Sequence, residues 1–189
     1  SFEGWEIAVT LLPARETSGD YFDFFPLSDG KMGILVADVA DKGLGAALYM
    51  ALSRTLLRTY AMEYGATQPD MVFASANRRI LNDASANLFV TAFFGILEQQ
   101  SGILTYSNAG HPPAHLFSLK NGNRVISLPA SGMPIGVEEE TQWQLKTVQM
   151  EVEDVLVVYT DGVADAQNAE GDFFGEKRLV EIVKSHPQC

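Results

Sequence analysis

The sequence predicts an α+β fold, antiparallel sheet layers with helices packed outside, and three observations lead there. Segments of β character come first, two helical segments follow, and a series of short β segments ends in one closing helix. Strands and helices are therefore segregated rather than alternating, which argues against a doubly wound parallel sheet. Apolar residues make up 47% and charged residues 20% of 189, enough apolar surface to order one domain and too short a chain for two ordinary ones.

Trp5–Leu12 is apolar and β-branched, and Tyr21–Leu27 is rich in aromatic residues. Asp29-Gly30 supplies a hairpin turn into the apolar run from Met32 to Ala37. From Leu44 the period becomes helical: Leu44, Leu48, Leu52 and Leu56 recur at every fourth residue until Gly65. Pro69 opens a second helix with Val72, Ala76 and Ile80 on one face. Strand signals return in 88–97 and 103–107 around Gln100-Ser101-Gly102, then in 114–119 and 124–128 around Asn121-Gly122. Segments 144–150 and 155–159 are further short strands, and a helix closes the chain from about Gly175 to His186.

Composition narrows the function. Thirteen basic against 24 acidic residues give a net charge of −11, a poor surface for nucleic-acid phosphates. No apolar window approaches the roughly 18 residues of a membrane span, and the start lacks a signal-peptide pattern. The one cysteine, Cys189, excludes an internal disulfide and a cysteine zinc site and fits a cytoplasmic protein. The abrupt start at Trp5 and the helix just before the end lead to the expectation of one domain, 1–189, cut from a longer regulator.

Four aspartates stand out by placement. Asp20 follows Ser18-Gly19 at a strand entry, Asp38 ends the most apolar strand, Asp41 lies beside Gly43, and Asp161 follows Val155–Tyr159 and precedes Gly162. A carboxylate at the tip of a buried strand is desolvated unless something pairs with it, and clustered carboxylates with few histidines suit magnesium or manganese. Each alone is also what turns and helix caps use. Arg15, five residues before Asp20, is a solvated loop arginine on placement alone; beside a metal cluster it would grip phosphate with two prongs. His111 and His115 have the spacing of a helical zinc pair, but Pro112-Pro113 forbids that helix. No nucleophile elbow and no phosphate-cradling glycine loop with lysine occurs.

Five motifs occur in order: 18–23 (Ser-Gly-Asp-Tyr-Phe-Asp), 36–43 (Val-Ala-Asp-Val-Ala-Asp-Lys-Gly), 106–113 (Tyr-Ser-Asn-Ala-Gly-His-Pro-Pro), 132–136 (Gly-Met-Pro-Ile-Gly) and 159–163 (Tyr-Thr-Asp-Gly-Val). The set resembles the bacterial metal-dependent protein phosphatases of the sporulation stage II protein E type, a branch of the type 2C serine/threonine phosphatases, over nearly the whole chain. The resemblance implies a four-layer α-β-β-α sandwich of two antiparallel sheets, here lacking its final strand, which in such phosphatases carries an Asp-Asp pair. It further implies two Mn2+ or Mg2+ ions, with Asp38 bridging, the Val39 carbonyl on one ion, Asp20 and Asp161 completing the cluster, and Arg15 at the position of the phosphate-binding arginine.

The expected activity is hydrolysis of phosphoserine or phosphothreonine on a regulatory protein by a metal-activated water. By resemblance the substrate is a phosphorylated anti-sigma-factor antagonist. The rival reading is a catalytically silent phosphatase-like domain that docks a regulatory partner. The helices 41–64 and 69–82 are a candidate surface for an upstream sensor or a second copy in a homodimer, with Arg54 and Arg58 as exposed positions.

Overall fold

The structure, a computed structural model, describes residues 4–12, 19–40, 44–66, 68–83, 88–118 and 124–186. Arg15, Asp41 and the Asn121-Gly122 turn lie outside them. The elements in chain order are β1 (Tyr21–Pro26), β2 (Lys31–Val39), α1 (Leu44–Tyr64), α2 (Asp70–Asp83), β3 (Val90–Glu98) and β4 (Ile103–Ala109). They continue as β5 (Ala114–Ser118), β6 (Arg124–Leu128), β7 (Lys146–Gln149), β8 (Val155–Val157), α3 (Asp161–Ala164) and α4 (Glu176–Ser185). Two antiparallel sheets and four helices among the described residues make this an α+β fold, as the segregated pattern predicts. No helix of the described residues is long and apolar enough to cross a membrane.

The chain divides into two compact units, one of residues 1–111 and 130–149, the other of 112–129 and 150–189. The first holds a five-stranded sheet in the order β1-β2-β3-β4-β7, with α1 and α2. Asp29 and Gly30, with φ of 58° and 69°, join β1 to β2 through a turn whose twist matches that of the strands. Every second residue of β2 (Leu35, Ala37, Val39) and of β3 (Val90, Ala92, Phe94, Ile96) joins one core cluster with Ala46, Tyr49, Leu57 and Ala61 of α1 and Val72, Phe73, Ala76 and Ile80 of α2. The opposite face is apolar too. Met32, Ile34, Phe93, Leu97, Leu104 and Tyr106 are buried there, the rings of Phe93 and Tyr106 stacked at 5.5 Å. Central strands buried on both faces read as continuous apolar runs, which is why β2 and β3 are so plain in the sequence.

Helix α1 forms where the leucine spacing predicts it, and the structure shows which face it buries. Of the leucines at four-residue spacing, Leu48 is 65% and Leu52 38% exposed, while Leu56 packs against the core. Alanines at 46 and 61 let the helix approach the sheet closely, and Tyr49 and Leu57 fill the space between. Arg54 and Arg58 are not bystanders either. Asp23, buried on β1, accepts two hydrogen bonds of 2.6 Å from Arg58 Nη1, with Arg54 Nη2 at 3.7 Å. The Arg58 guanidinium also lies over the Phe25 ring at 5.1 Å. The two arginines therefore tie α1 to β1 instead of standing free for a partner.

Residues 5–12 carry a strand's alternation but join neither sheet and are largely exposed; Trp5 donates its indole N–H to Gln99 O at 3.2 Å. Propensity alone does not make a strand where no described strand pairs with it.

In the second unit β5 lies between β6 and β8, all antiparallel. His115 of β5 is buried, its ring stacked on Tyr159 at 6.0 Å and its Nε2 3.1 Å from Glu176 Oε1 at the start of α4. Desolvation holds the His115 imidazole below its ordinary pKa against the opposing pull of Glu176, so this is a neutral ring beside a carboxylate.

Two tests follow from these contacts. Arg58→Ala leaves a buried carboxylate short of its partner, and chemical denaturation should show a loss of about 1–3 kcal/mol; an unchanged midpoint would reduce the pair to decoration. For His115 the folded state disfavours the protonated ring, so the unfolded chain binds the proton first as pH falls. Its stabilisation is complete above about pH 6.5 and is lost as pH drops through that value towards the lowered one. The melting temperature should fall between about pH 7.5 and 5.5, and less steeply in His115→Gln; equal slopes would remove His115 as the cause.

Candidate functional site

The site grows from the register of β1, β2 and β3. Tyr21 pairs with Ala37, and a hydrogen bond of 3.3 Å from Val39 N–H to Gly19 O runs one step beyond the ladder. Gly19-Asp20 thus stays laid along Asp38-Val39, and the continued register sets Asp20 across from Asp38. Neighbours so placed in an antiparallel pair have Cα atoms about 4.5–5.5 Å apart. Asp38 lies between Ala37 and Val39, which face the helices, so its side chain takes the opposite face of the sheet. It is the penultimate residue of β2, inside the ladder rather than beyond its tip.

Gly19 is required by contact. A Cβ there would stand 2.7 Å from the Val39 carbonyl oxygen and 3.0 Å from Asp38 Oδ1. The Asp38 carboxylate and the Val39 carbonyl oxygen are thereby gathered against one bare stretch of backbone. Two like charges set across from each other on neighbouring strands are unfavourable on their own. The donor set (two carboxylates and a backbone carbonyl, all hard oxygens) is the chemistry that magnesium or manganese takes.

On the far side of Asp38 the ladder pairs it with Thr91 of β3. Thr91 Oγ1 lies 3.0 Å from His111 Nδ1. Gly110, with φ of 66° and Pro134 where a Cβ would stand, turns the chain so that His111 comes back over β3. The His111 backbone N–H donates to Asn108 Oδ1 at 2.8 Å, and both residues are buried. The motif from Gly132 to Gly136 packs against the same end: Ile135 bridges to Val90, Trp143 donates its indole N–H to Met133 O at 2.7 Å, and Gly136 N–H donates to Asn77 Oδ1 at 2.7 Å. That motif is held by backbone and core contacts and contributes no titratable group.

Of the residues singled out in the sequence, Asp20, Asp38 and Val39 come together in the first unit. Asp161 belongs to the second unit, where it opens the one-turn helix α3 and its carbonyl accepts from Asp165 N–H at 2.8 Å. Strand β8 ends at Val157, so Asp161 is a helix-opening residue and not the strand tip the sequence suggested. Arg15 lies outside the described residues. Among the described residues no three His, Cys, Asp or Glu side chains form a group that could hold a metal ion. Thr91 does not stand out in the sequence because its place opposite Asp38 comes from a strand fifty-odd residues away.

Comparison with known proteins agrees with the five ordered motifs. Residues 28–189 match the family model described as Stage II sporulation protein E (SpoIIE). Protein IcfG of Synechocystis sp. is 33% identical, over 96% of this chain and 32% of that protein. Phosphoserine phosphatase RsbU of Bacillus subtilis is 28% identical, over 97% of this chain and 53% of that protein. The chain thus spans about a third to a half of the length of these relatives. A crystal structure of the RsbU and RsbW domains of a Mycobacterium tuberculosis protein superposes with a TM-score of 0.78 at 23% identity, over 94% of this chain and 49% of that one, a likeness of fold. Matched by that family model across most of its length, the chain belongs to the stage II sporulation protein E family.

Proposed function

We propose that this domain is a serine/threonine protein phosphatase that hydrolyses phosphoserine or phosphothreonine on a regulatory protein. The observation that carries the reading is the pair Asp20 and Asp38, set across neighbouring strands beside the Val39 carbonyl, in a chain of this family. The name of the relative RsbU, a phosphoserine phosphatase, supports it.

In this reading Asp20, Asp38, Asp161 and the Val39 carbonyl hold two Mn2+ or Mg2+ ions, and Arg15 grips the substrate phosphate. When bound, such ions acidify a water and neutralise charge on the phosphoryl oxygens. The chain's own work is to present hard oxygens without a side chain at Gly19 in the way, and to orient the phosphate through a planar guanidinium. The substrate proposed is a phosphorylated anti-sigma-factor antagonist in the cytoplasm. Residues 1–189 act as one phosphatase domain under an upstream sensor, and a second copy or that sensor meets the helices 41–64 and 69–82. Leu48, Leu52 and Met62 of α1, all exposed, favour such a contact.

Asp38→Ala should lower Mn2+-dependent hydrolysis of p-nitrophenyl phosphate by more than the roughly 10–100-fold that outer-shell changes cost at metal sites. The fold should survive, because removing one of two facing carboxylates relieves repulsion. Absence of turnover by the full chain with Mn2+ would favour the silent docking module, and turnover indifferent to Mn2+ would overturn the metal-dependent reading. Arg15→Lys keeps the charge but loses the two-pronged contact, so kcat/KM on a phosphoprotein should fall about tenfold or more while the melting temperature holds. Unchanged kinetics would return Arg15 to a solvated loop residue.

A further inference from the structure

We propose that Thr91 and His111 form a positioning relay that holds the Asp38 carboxylate in the orientation its cation requires, an inference that rests on the metal-dependent reading above. Thr91 is the register partner of Asp38 on the neighbouring strand. Cross-strand partners in an antiparallel pair carry their Cβ atoms about 4.5–5.5 Å apart on one face, a span that a threonine hydroxyl and an aspartate carboxylate together bridge. Thr91 is β-branched, so its hydroxyl is confined to few directions. One of them is fixed by the 3.0 Å contact with His111 Nδ1.

The hydroxyl has a single proton. If Thr91 donates to Asp38, its oxygen must accept from His111, and His111 must carry its proton on Nδ1. The surroundings hold the ring for that role. His111 is 2% exposed, its backbone N–H is held at 2.8 Å by Asn108 Oδ1, and the Asn108 backbone N–H is itself held at 3.0 Å by Ser131 Oγ. The left-handed turn at Gly110, with Pro134 against it, leaves the ring little choice of position. A carboxylate that binds a hard cation gains affinity when an outer hydrogen bond fixes its rotamer in advance, and such partners are usually hydrogen-bonded in turn. Thr91 is then a positioning residue, and His111 sets the direction of its hydroxyl.

The test is calorimetric titration of the full chain with Mn2+ alone, together with 15N spectra of the His111 ring. Thr91→Val keeps the shape and removes the hydroxyl; Mn2+ affinity should fall about 10–100-fold. Thr91→Ser should restore it to within about threefold by returning the hydroxyl. The wild-type His111 ring should carry its proton on Nδ1 and lose that preference in Thr91→Val. Wild-type Mn2+ affinity in Thr91→Val, or a proton on Nε2 in the wild type, overturns the relay and leaves the phosphatase reading standing. A wild-type chain that binds no Mn2+ overturns that reading and the relay with it.

Discussion

Everything at the site hangs on the register of one antiparallel ladder. Tyr21 against Ala37 and Asp38 against Thr91 are fixed by backbone hydrogen bonds, and the side chains follow with a period of two. A slip of one residue would turn Asp38 into the helix-facing core and Val39 out of it. That slip is blocked from both sides of the sheet. Leu35, Ala37 and Val39 are locked among α1 and α2, while Met32 and Ile34 are buried on the other face. Core packing and site geometry are therefore one constraint: the apolar residues that stabilise β2 are also what aims its aspartate.

The same strand pair is braced by a charge. Asp23 lies two residues beyond Tyr21 on the helix-facing side, and Arg58 of α1 satisfies both of its oxygens. Breaking such a pair costs more than making it contributes, because a buried carboxylate is left behind. Helix α1 cannot move far without dragging β1, and β1 begins immediately after Asp20. Outward-facing leucines and inward-reaching arginines thus give the helix a free face and an anchored one, a division that helical periodicity alone does not reveal.

What the sequence made legible, and what it hid, divides on locality. The continuous apolar run of β2, the Asp29-Gly30 turn and the Val72, Ala76 and Ile80 face of α2 are written in consecutive or helically spaced residues, and the structure agrees. Asp20, Asp38 and Gly19 were legible only through the ordered set of motifs, because each alone is also what turns and caps use. The buried face of α1 was not legible in the leucine spacing, because Ala46, Tyr49, Leu57 and Ala61 pack on the sheet while Leu48 and Leu52 stay exposed. Residues 5–12 read as a strand since alternation describes what a segment could do, and pairing depends on a partner that its own residues do not name. Thr91 was invisible for the same reason: one threonine among many acquires meaning only from the strand beside it.

Electrostatics gives the site its remaining logic. A chain of net charge −11 offers no long-range attraction to an anionic phosphopeptide, and two facing carboxylates make the local field worse. In the proposed reading, cations bound beside Asp20 and Asp38 invert that local charge. Divalent ions so bound would turn this acidic spot into one that accepts phosphate, whereas the rest of the acidic surface would go on repelling anions. Attraction is then confined to within a few ångströms of the metals, since exposed charges are screened over roughly 8–10 Å at physiological salt. If phosphoproteins are the substrates, as proposed, selection among them would come from contacts near the carboxylates and not from the domain's overall charge.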